Sequence, residues 1–186
     1  MPHRIGNFIN AFNGGTRPNR FSISGTLPSE LGGDQLFFDT HCLAATLPES
    51  NVGIIPIPYR GRIYKFPGDR TYSEWTVTVL DDTGTADSWF KFHDWSNAFN
   101  DHESNSSASR TMKNLYCENL TIQHLDHAAV PGGSATPLKI IQLQYAWPVS
   151  VGPVQLDMSA GNQLASFQLT IAYAYLKYSQ GTSVTP

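Results

Sequence analysis

Apolar and polar residues alternate with a period of two along much of this chain, a pattern that predicts β-strands. The clearest example is residues 74–80, where Trp75, Val77 and Val79 alternate with two threonines. The longest run, residues 165–178, is more than twice the usual strand length of about five or six residues. The other predicted strands cover residues 20–24, 35–43, 61–66, 118–126 and 138–147. This succession predicts a mainly β fold made of antiparallel sheets.

Two segments have helical spacing instead. Apolar residues at i, i+3, i+4 and i+7 between Ile5 and Phe12 predict a short amphipathic helix within residues 1–15. Residues 85–100 carry an aromatic stripe at spacings of three and four: Trp89, Phe92, Trp95 and Phe99. Such a stripe is more often core than a ligand-binding site, so it predicts one helix that docks onto a sheet.

Residues 47–62 combine strong apolarity with prolines. Pro56 and Pro58 disfavour regular sheet pairing on at least one side, so we predict an extended loop. Its apolar side chains are Ile54, Ile55, Ile57 and Tyr59. Because loops normally lie on the surface, an apolar loop suggests a contact surface for a partner. The alternative interpretation is a lid that folds back over the chain's own core.

Composition fits one domain over residues 1–186, ending in a polar and loose tail at 179–186. Charged residues make up 15% of the 186, against about 25% in typical soluble domains. A charge-poor surface suits a protein covered by copies of itself, and it equally suits a small β-sandwich with a polar Ser/Thr/Asn surface. The formal net charge of −3, without a basic cluster, argues against a protein that grips nucleic acid. No apolar run approaches the roughly 20 residues that span a bilayer.

Candidate catalytic chemistry is sparse. His93, His124, Asp126 and His127 could be imagined as metal ligands, but in a continued strand His124 and His127 point to opposite faces. The sequence has no nucleophile elbow, phosphate-binding loop or HExxH motif. We therefore expect no enzymatic activity and no cofactor. A carbohydrate-binding β-sandwich is a further alternative, because the chain has four Trp and eight Tyr, although most fall on predicted apolar faces.

Several motifs together resemble a known family. The sequence Gly-Asp-Arg-Thr at residues 68–71 leads into the strand Trp-Thr-Val-Thr-Val at 75–79. Arg-Pro-Asn occurs at 17–19, and Cys-Leu-Ala-Ala-Thr-Leu-Pro at 42–48. The segment at 147–157 reads Trp-Pro-Val-Ser-Val-Gly-Pro-Val-Gln-Leu-Asp. These motifs resemble, in the right order, those of the tail tube proteins of contractile-tailed bacteriophages.

The resemblance implies an antiparallel β-sandwich or partial barrel with one flanking helix. It also implies that six copies join their sheets into a ring around a channel, and that rings stack into a tube that conducts genomic DNA without sequence-specific binding. Implied partners are the tail sheath, baseplate, tail terminator and tape measure proteins, in a virion tail assembled in the bacterial host cytoplasm, with no membrane contact. A tailocin, a contractile injection system or a type VI secretion tube remains an alternative.

Residue roles follow from the resemblance together with alternation. The residues expected to contact the next ring or neighbouring subunit are Ile54, Ile55, Ile57 and Tyr59. The residues expected to face the channel are Gln142, Gln144, Ser166, Gln168 and Thr170. The residues expected in the core are Trp75, Val77, Trp147, Leu169 and Ile171. A shift of one residue in strand register would reverse these faces.

Overall fold

In the computed structural model of the protein, alternating strands bury their apolar faces between two antiparallel sheets. The structure describes Ile5 and residues 16–31, 35–36, 38–82, 88–117, 120–126 and 137–181. The predicted N-terminal helix lies, apart from Ile5, outside the described residues. The mainly β antiparallel fold with a flanking helix is confirmed.

The strands form three sheets. They are β1 (Phe21–Thr26), β2 (Gln35–Leu36), β3 (Cys42–Ala45), β4 (Ser50–Tyr59), β5 (Arg62–Tyr72), β6 (Trp75–Leu80), β7 (Leu120–Leu125), β8 (Pro137–Gln144), β9 (Trp147–Val151), β10 (Ser166–Ala172) and β11 (Tyr175–Gln180). A five-stranded sheet has the order β11-β8-β7-β1-β2, and a four-stranded sheet the order β3-β6-β10-β9. Strands β4 and β5 pair only with each other among the described strands, as a two-stranded ribbon.

The core lies between the two larger sheets. The five-stranded sheet contributes Ile23, Leu120, Ile122 and Leu143, all almost completely buried. The four-stranded sheet contributes Trp75, Val77, Val79, Phe167, Leu169 and Ile171, which are equally buried. The core assignment of Trp75, Val77, Leu169 and Ile171 is thus confirmed, and Trp147 is partly buried against the same cluster. The polar partners in the alternation therefore face away from the core.

Two helices complete the described fold, α1 (Phe38–His41) and α2 (Ser88–Phe99), with short 3-10 turns at Ser29–Leu31 and Met112–Leu115. Trp95 is fully buried and donates its indole Nε1–H to the carbonyl of Leu115 at 2.8 Å. The Phe92 ring lies 5.4 Å from that of Phe38 and 6.1 Å from that of Phe167. The aromatic stripe thus docks α2 onto the sheets, as predicted.

The predicted single strand over residues 165–178 is wrong, because the chain changes sheets within it. Strand β10 belongs to the four-stranded sheet and β11 to the five-stranded sheet. Between them, the Ala174 N–H donates to the carbonyl of Gln144 at 3.0 Å. The alternation continues because both sheets face the same core, so a strand that bends from one to the other keeps its apolar residues inward.

The predicted strand over residues 138–147 divides in the same way. Strand β8 ends at Gln144, and β9 begins at Trp147 in the other sheet. Tyr145 has a φ of 55°, in the left-handed region that a non-glycine residue seldom adopts. The connections from β8 to β9 and from β10 to β11 lie side by side, and each carries the chain from one sheet to the other.

Other predicted boundaries also change. The predicted strand at 35–43 is interrupted by α1, a single helical turn whose first residue, Phe38, is buried. Strand β5 runs through Pro67-Gly68-Asp69, a sequence typical of a turn, because a register shift absorbs one extra residue there. Ser179 and Gln180 belong to β11 instead of a loose tail, and residues 182–186 lie outside the described residues.

Burial predicts unequal effects of substitution along β10. Leu169→Ala should lower the free energy of unfolding by about 2–5 kcal/mol, because it leaves a cavity between the sheets. The neighbouring Gln168→Ala, on the exposed outer face, should stay within about 0.5 kcal/mol. Urea unfolding of the free subunit measures both, and equal losses would contradict the assigned faces.

Candidate assembly surfaces

The ribbon of β4 and β5 replaces the predicted loop at residues 47–62. Its strands are joined by a two-residue turn in which Arg60 and Gly61 have φ values of 45° and 80°. Two successive positive φ values are typical of the type I′ turn, whose twist matches that of a hairpin. The loop prediction is therefore wrong, and this segment is a regular antiparallel hairpin.

The two prolines are accommodated because β4 has one pairing partner. Pro56 pairs with Lys65 and Pro58 with Ile63. Positions two residues apart direct their backbone nitrogens to the same side, and a proline is tolerated where that side points away from the partner strand. Both prolines thus lie toward the open edge of β4, where they remove donors that another strand could use.

The apolar side chains of the ribbon are exposed on both faces. On one face, Ile55, Ile57 and Tyr59 stand opposite Phe66, Tyr64 and Arg62; we call these six residues the aromatic face. The rings of Tyr64 and Phe66 lie 4.9 Å apart. Ile54 points to the opposite face and is 64% exposed. All four residues predicted from the sequence are exposed, and the contribution of β5 was missed.

The base of the ribbon is fixed to the sandwich. The buried Trp75 donates its Nε1–H to the carbonyl of Thr46 at 2.6 Å, and the Tyr173 hydroxyl donates to the carbonyl of Glu49 at 3.2 Å. The rings of Tyr72 and Tyr173 lie 5.7 Å apart. The ribbon therefore leaves the core in a defined direction although its outer part is exposed.

The outer face of the four-stranded sheet is uncharged, and its two central strands are polar there. None of its strands, β3, β6, β9 or β10, contains Asp, Glu, Lys or Arg. Across β6 and β10, Thr78 stands opposite Gln168 and Thr76 opposite Thr170. Among the described strands, β3 and β9 are the edges of this sheet in the single copy. Hydroxyl and amide groups therefore cover the two central strands, while the exposed apolar Leu43 and Val149 lie on the edge strands β3 and β9, which can accept further strands.

The five residues predicted to face a channel fall into two groups. Ser166, Gln168 and Thr170 lie on this uncharged face, whereas Gln142 and Gln144 lie on β8 of the five-stranded sheet. Because the two sheets share one core, their outer faces point in opposite directions. One channel wall can include only one of the groups, and the channel-facing role itself stays a prediction.

A second exposed apolar surface was missed by sequence reasoning. It lies in the loop of residues 152–165, between β9 and β10, where Leu156 is 89% and Leu164 76% exposed. Gly152 starts the loop: its N–H donates to the carbonyl of Gln168 at 2.7 Å, and a Cβ there would lie 2.7 Å from that same oxygen. Only glycine fits this approach without a shift.

The described residues contain no group of three potential metal ligands. The ring Nε2 of His124 lies 2.9 Å from the carbonyl oxygen of Arg17, and His127 lies outside the described residues. Partial burial raises the pKa of the Cys42 thiol to about 11, and Cys117 is fully buried. Neither thiol is therefore poised as a nucleophile at neutral pH.

An exposed apolar ribbon, unpaired sheet edges and a charge-free face are features of a structural β-sandwich with surfaces suited to assembly. The chain belongs to the phage tail tube protein family, whose model matches residues 16–180. It is 30% identical over 159 residues to the tail tube protein gp19 of Enterobacteria phage T4, covering 86% of this chain and 89% of that protein. It is 26% identical over 159 residues to the tail tube protein of Serratia phage KSP90, covering 84% and 85%. The protein is a non-enzymatic structural component of the virion.

Solved structures show the same fold. A chain in the anti-feeding prophage baseplate superposes with a TM-score of 0.63 at 12% identity, covering 91% of this chain and 98% of that one. A chain in the sheath-tube complex of the extracellular contractile injection system PVC superposes with a TM-score of 0.55 at 15% identity, covering 93% and 97%. Among the described residues, no helix combines the length and apolarity needed to cross a bilayer.

The prolines generate a testable expectation. Replacing both Pro56 and Pro58 by Thr should restore two N–H donors on the open edge of β4 and promote irregular pairing between ribbons. We expect amorphous or fibrous aggregates with increased thioflavin fluorescence. Replacing Pro18, which is exposed and lies outside the ribbon, by Thr serves as the control. If the double variant remains as soluble as the unsubstituted protein, the prolines do not protect this edge.

Proposed function

We propose that six copies of this chain form a ring in which the four-stranded sheets join edge to edge, and that rings stack into the tail tube. Joining β3 of one copy to β9 of the next would satisfy both open edges of this sheet. Six four-stranded sheets would give a continuous wall of 24 strands. The observation that carries this proposal is the uncharged polar face that lies between these two edges.

The channel wall is then the outer face of the four-stranded sheet. A wall for a moving polyanion must avoid the basic groups that would hold phosphates. The strands of this sheet offer none, whereas β8 and β11 of the other sheet carry Lys139 and Lys177. We therefore favour Ser166, Gln168 and Thr170 as channel-facing, with Gln142 and Gln144 pointing away from the channel. With −3 per copy, a ring of six would carry about −18, which further disfavours adhesion of DNA.

The ribbon is proposed to contact a neighbouring copy in the adjacent ring through Ile54, Ile55, Ile57 and Tyr59. Exposed apolar side chains on a ribbon without support from its own core are stabilised when a partner covers them. Contact between stacked rings is heterologous and propagates as a filament.

The expected partners outside the tube are the sheath, baseplate and tail terminator proteins. The tape measure protein and then genomic DNA would occupy the channel. We expect assembly in the host cytoplasm before the virion is released. Residues 1–186 are proposed to act as one tube-forming domain.

Cysteine labelling of assembled tubes tests which face lines the channel. In tubes, Gln168→Cys should react with a small maleimide but resist a maleimide attached to a globular protein wider than the channel. Gln142→Cys should react with both reagents, and free subunits of both variants should also react with both. The unsubstituted chain gives the background, which the protonated Cys42 and the buried Cys117 keep low. Labelling of Gln168→Cys tubes by the large reagent would contradict this channel wall.

Charged groups on the ribbon test the contact between rings. The double variant Ile55→Asp, Ile57→Asp should block polymerisation while leaving the circular dichroism of the subunit unchanged, because both side chains are already exposed. The matched variant Ile55→Leu, Ile57→Leu keeps the surface apolar and should polymerise. Sedimentation and negative-stain microscopy measure the outcome. Normal tubes from the Asp variant would exclude the aromatic face as a contact.

A further inference from the structure

The loop of residues 152–165 presents apolar side chains around a single carboxylate. Leu156 and Met158 flank Asp157, and both are essentially fully exposed. Between Lys139 and Lys177, Asp157 is the only residue with a formal charge at neutral pH. This loop is therefore an apolar surface with one isolated negative charge.

Hydrogen bonds within the loop orient the Asp157 carboxylate and favour its ionised form. Its Oδ1 accepts hydrogen bonds of 2.8 Å from both the backbone N–H and the hydroxyl of Ser159, and the residue is exposed. These hydrogen bonds lower the pKa of Asp157, so the carboxylate is ionised at neutral pH. No described residue forms an ion pair with it.

The aromatic face of the ribbon has the complementary character. It combines Ile55, Ile57, Tyr64 and Phe66 with Arg62 at the end next to the turn. The ribbon, residues 50–72, holds four basic side chains and one acidic side chain, which leaves eight basic and fourteen acidic side chains in the rest of the chain. Arg62 has no ion-pair partner among the described residues.

We propose that the 152–165 loop of one copy receives the aromatic face of the ribbon from a second copy, with Asp157 paired to Arg62. This inference rests on the proposed tube and names the receiving surface of the ribbon contact. The occupant is a second copy because the two surfaces match in apolarity and charge, yet both remain exposed within a single chain. Nucleic acid is a poor occupant, since the only charged group on the loop repels phosphate.

The pairing is specific to one face of the ribbon. Lys65 stands opposite Pro56, on the face that points away from Ile57 and Arg62. It carries the same charge as Arg62 and lies three residues away, so Lys65→Asp is a matched control for net charge and position.

Charge reversal tests the proposal. Arg62→Asp and Asp157→Arg should each raise the concentration needed for polymerisation about tenfold or more, because each places like charges together. The double variant Arg62→Asp, Asp157→Arg should return to within about threefold of the unsubstituted chain, because the pair is restored with exchanged signs. Lys65→Asp should change the concentration by less than about threefold. Urea unfolding of each free subunit checks that the fold is retained.

The outcomes separate this inference from the proposed function. If the unsubstituted chain forms no rings or tubes, both proposals fail. If it forms tubes but the double variant is no better than the worse single variant, only the docking proposal fails. Unchanged polymerisation of Asp157→Arg would likewise overturn it and would point to a different tail protein as the occupant of the loop. If Lys65→Asp has the same effect as Arg62→Asp, net charge alone explains the effect and the pairing is rejected.

Discussion

Burial of the inward faces of the two larger sheets against each other is the interaction on which the other features depend. Leu169 and Ile171 from one sheet and Ile122 and Leu143 from the other are almost completely enclosed. Because side chains alternate along a strand, this burial sends every second residue outward. The core thus decides which side chains form the outer face of the four-stranded sheet, and the sequence places no charged residue on these strands.

The same core sets the direction of the ribbon. Trp75 and Tyr173 each reach from the core to a backbone carbonyl in the segment between β3 and β4. A typical hydrogen bond contributes about 1 kcal/mol net, which is modest for stability. Two such bonds on one short connection nevertheless fix the angle at which the ribbon leaves. Tyr173 also marks the change from β10 to β11, so the joint between the sheets and the base of the ribbon share one residue.

Much of the fold could be predicted from the sequence because its strongest signals arise from burial. The alternation around Trp75 and the stripe around Trp95 correspond to real faces in contact with the core. The sheet changes near Tyr145 and Tyr173 could not be predicted, because a strand that bends around a shared core keeps its alternation. The positive φ of Tyr145 cannot be inferred from the residue type. Periodicity indicated only the fold class, whereas sequence motifs such as those at 68–71 and 147–157 indicated the protein family.

The assembly surfaces were predicted only in part. Exposure of Ile55 and Ile57 was inferred from prolines beside apolar residues, but those prolines concealed a strand with one open edge. The turn was missed because Arg60-Gly61 lacks the asparagine or aspartate that usually marks a type I′ turn. The loop around Asp157 gave no signal, since isolated apolar residues in a sequence indicate burial as readily as a contact surface.

The ribbon combines an exposed apolar surface with features that limit aggregation. In the proposed tube, its aromatic face binds a neighbouring copy through apolar side chains, yet a free edge beside apolar residues favours irregular pairing. Prolines block the open edge of β4, and the like charges of Arg60, Arg62 and Lys65 make two ribbon tips repel each other. Ribbon-to-ribbon contact is thereby disfavoured, while contact with an acidic surface is not. In the proposed tube, the groups that limit aggregation of the free subunit would therefore also select the partner of the ribbon.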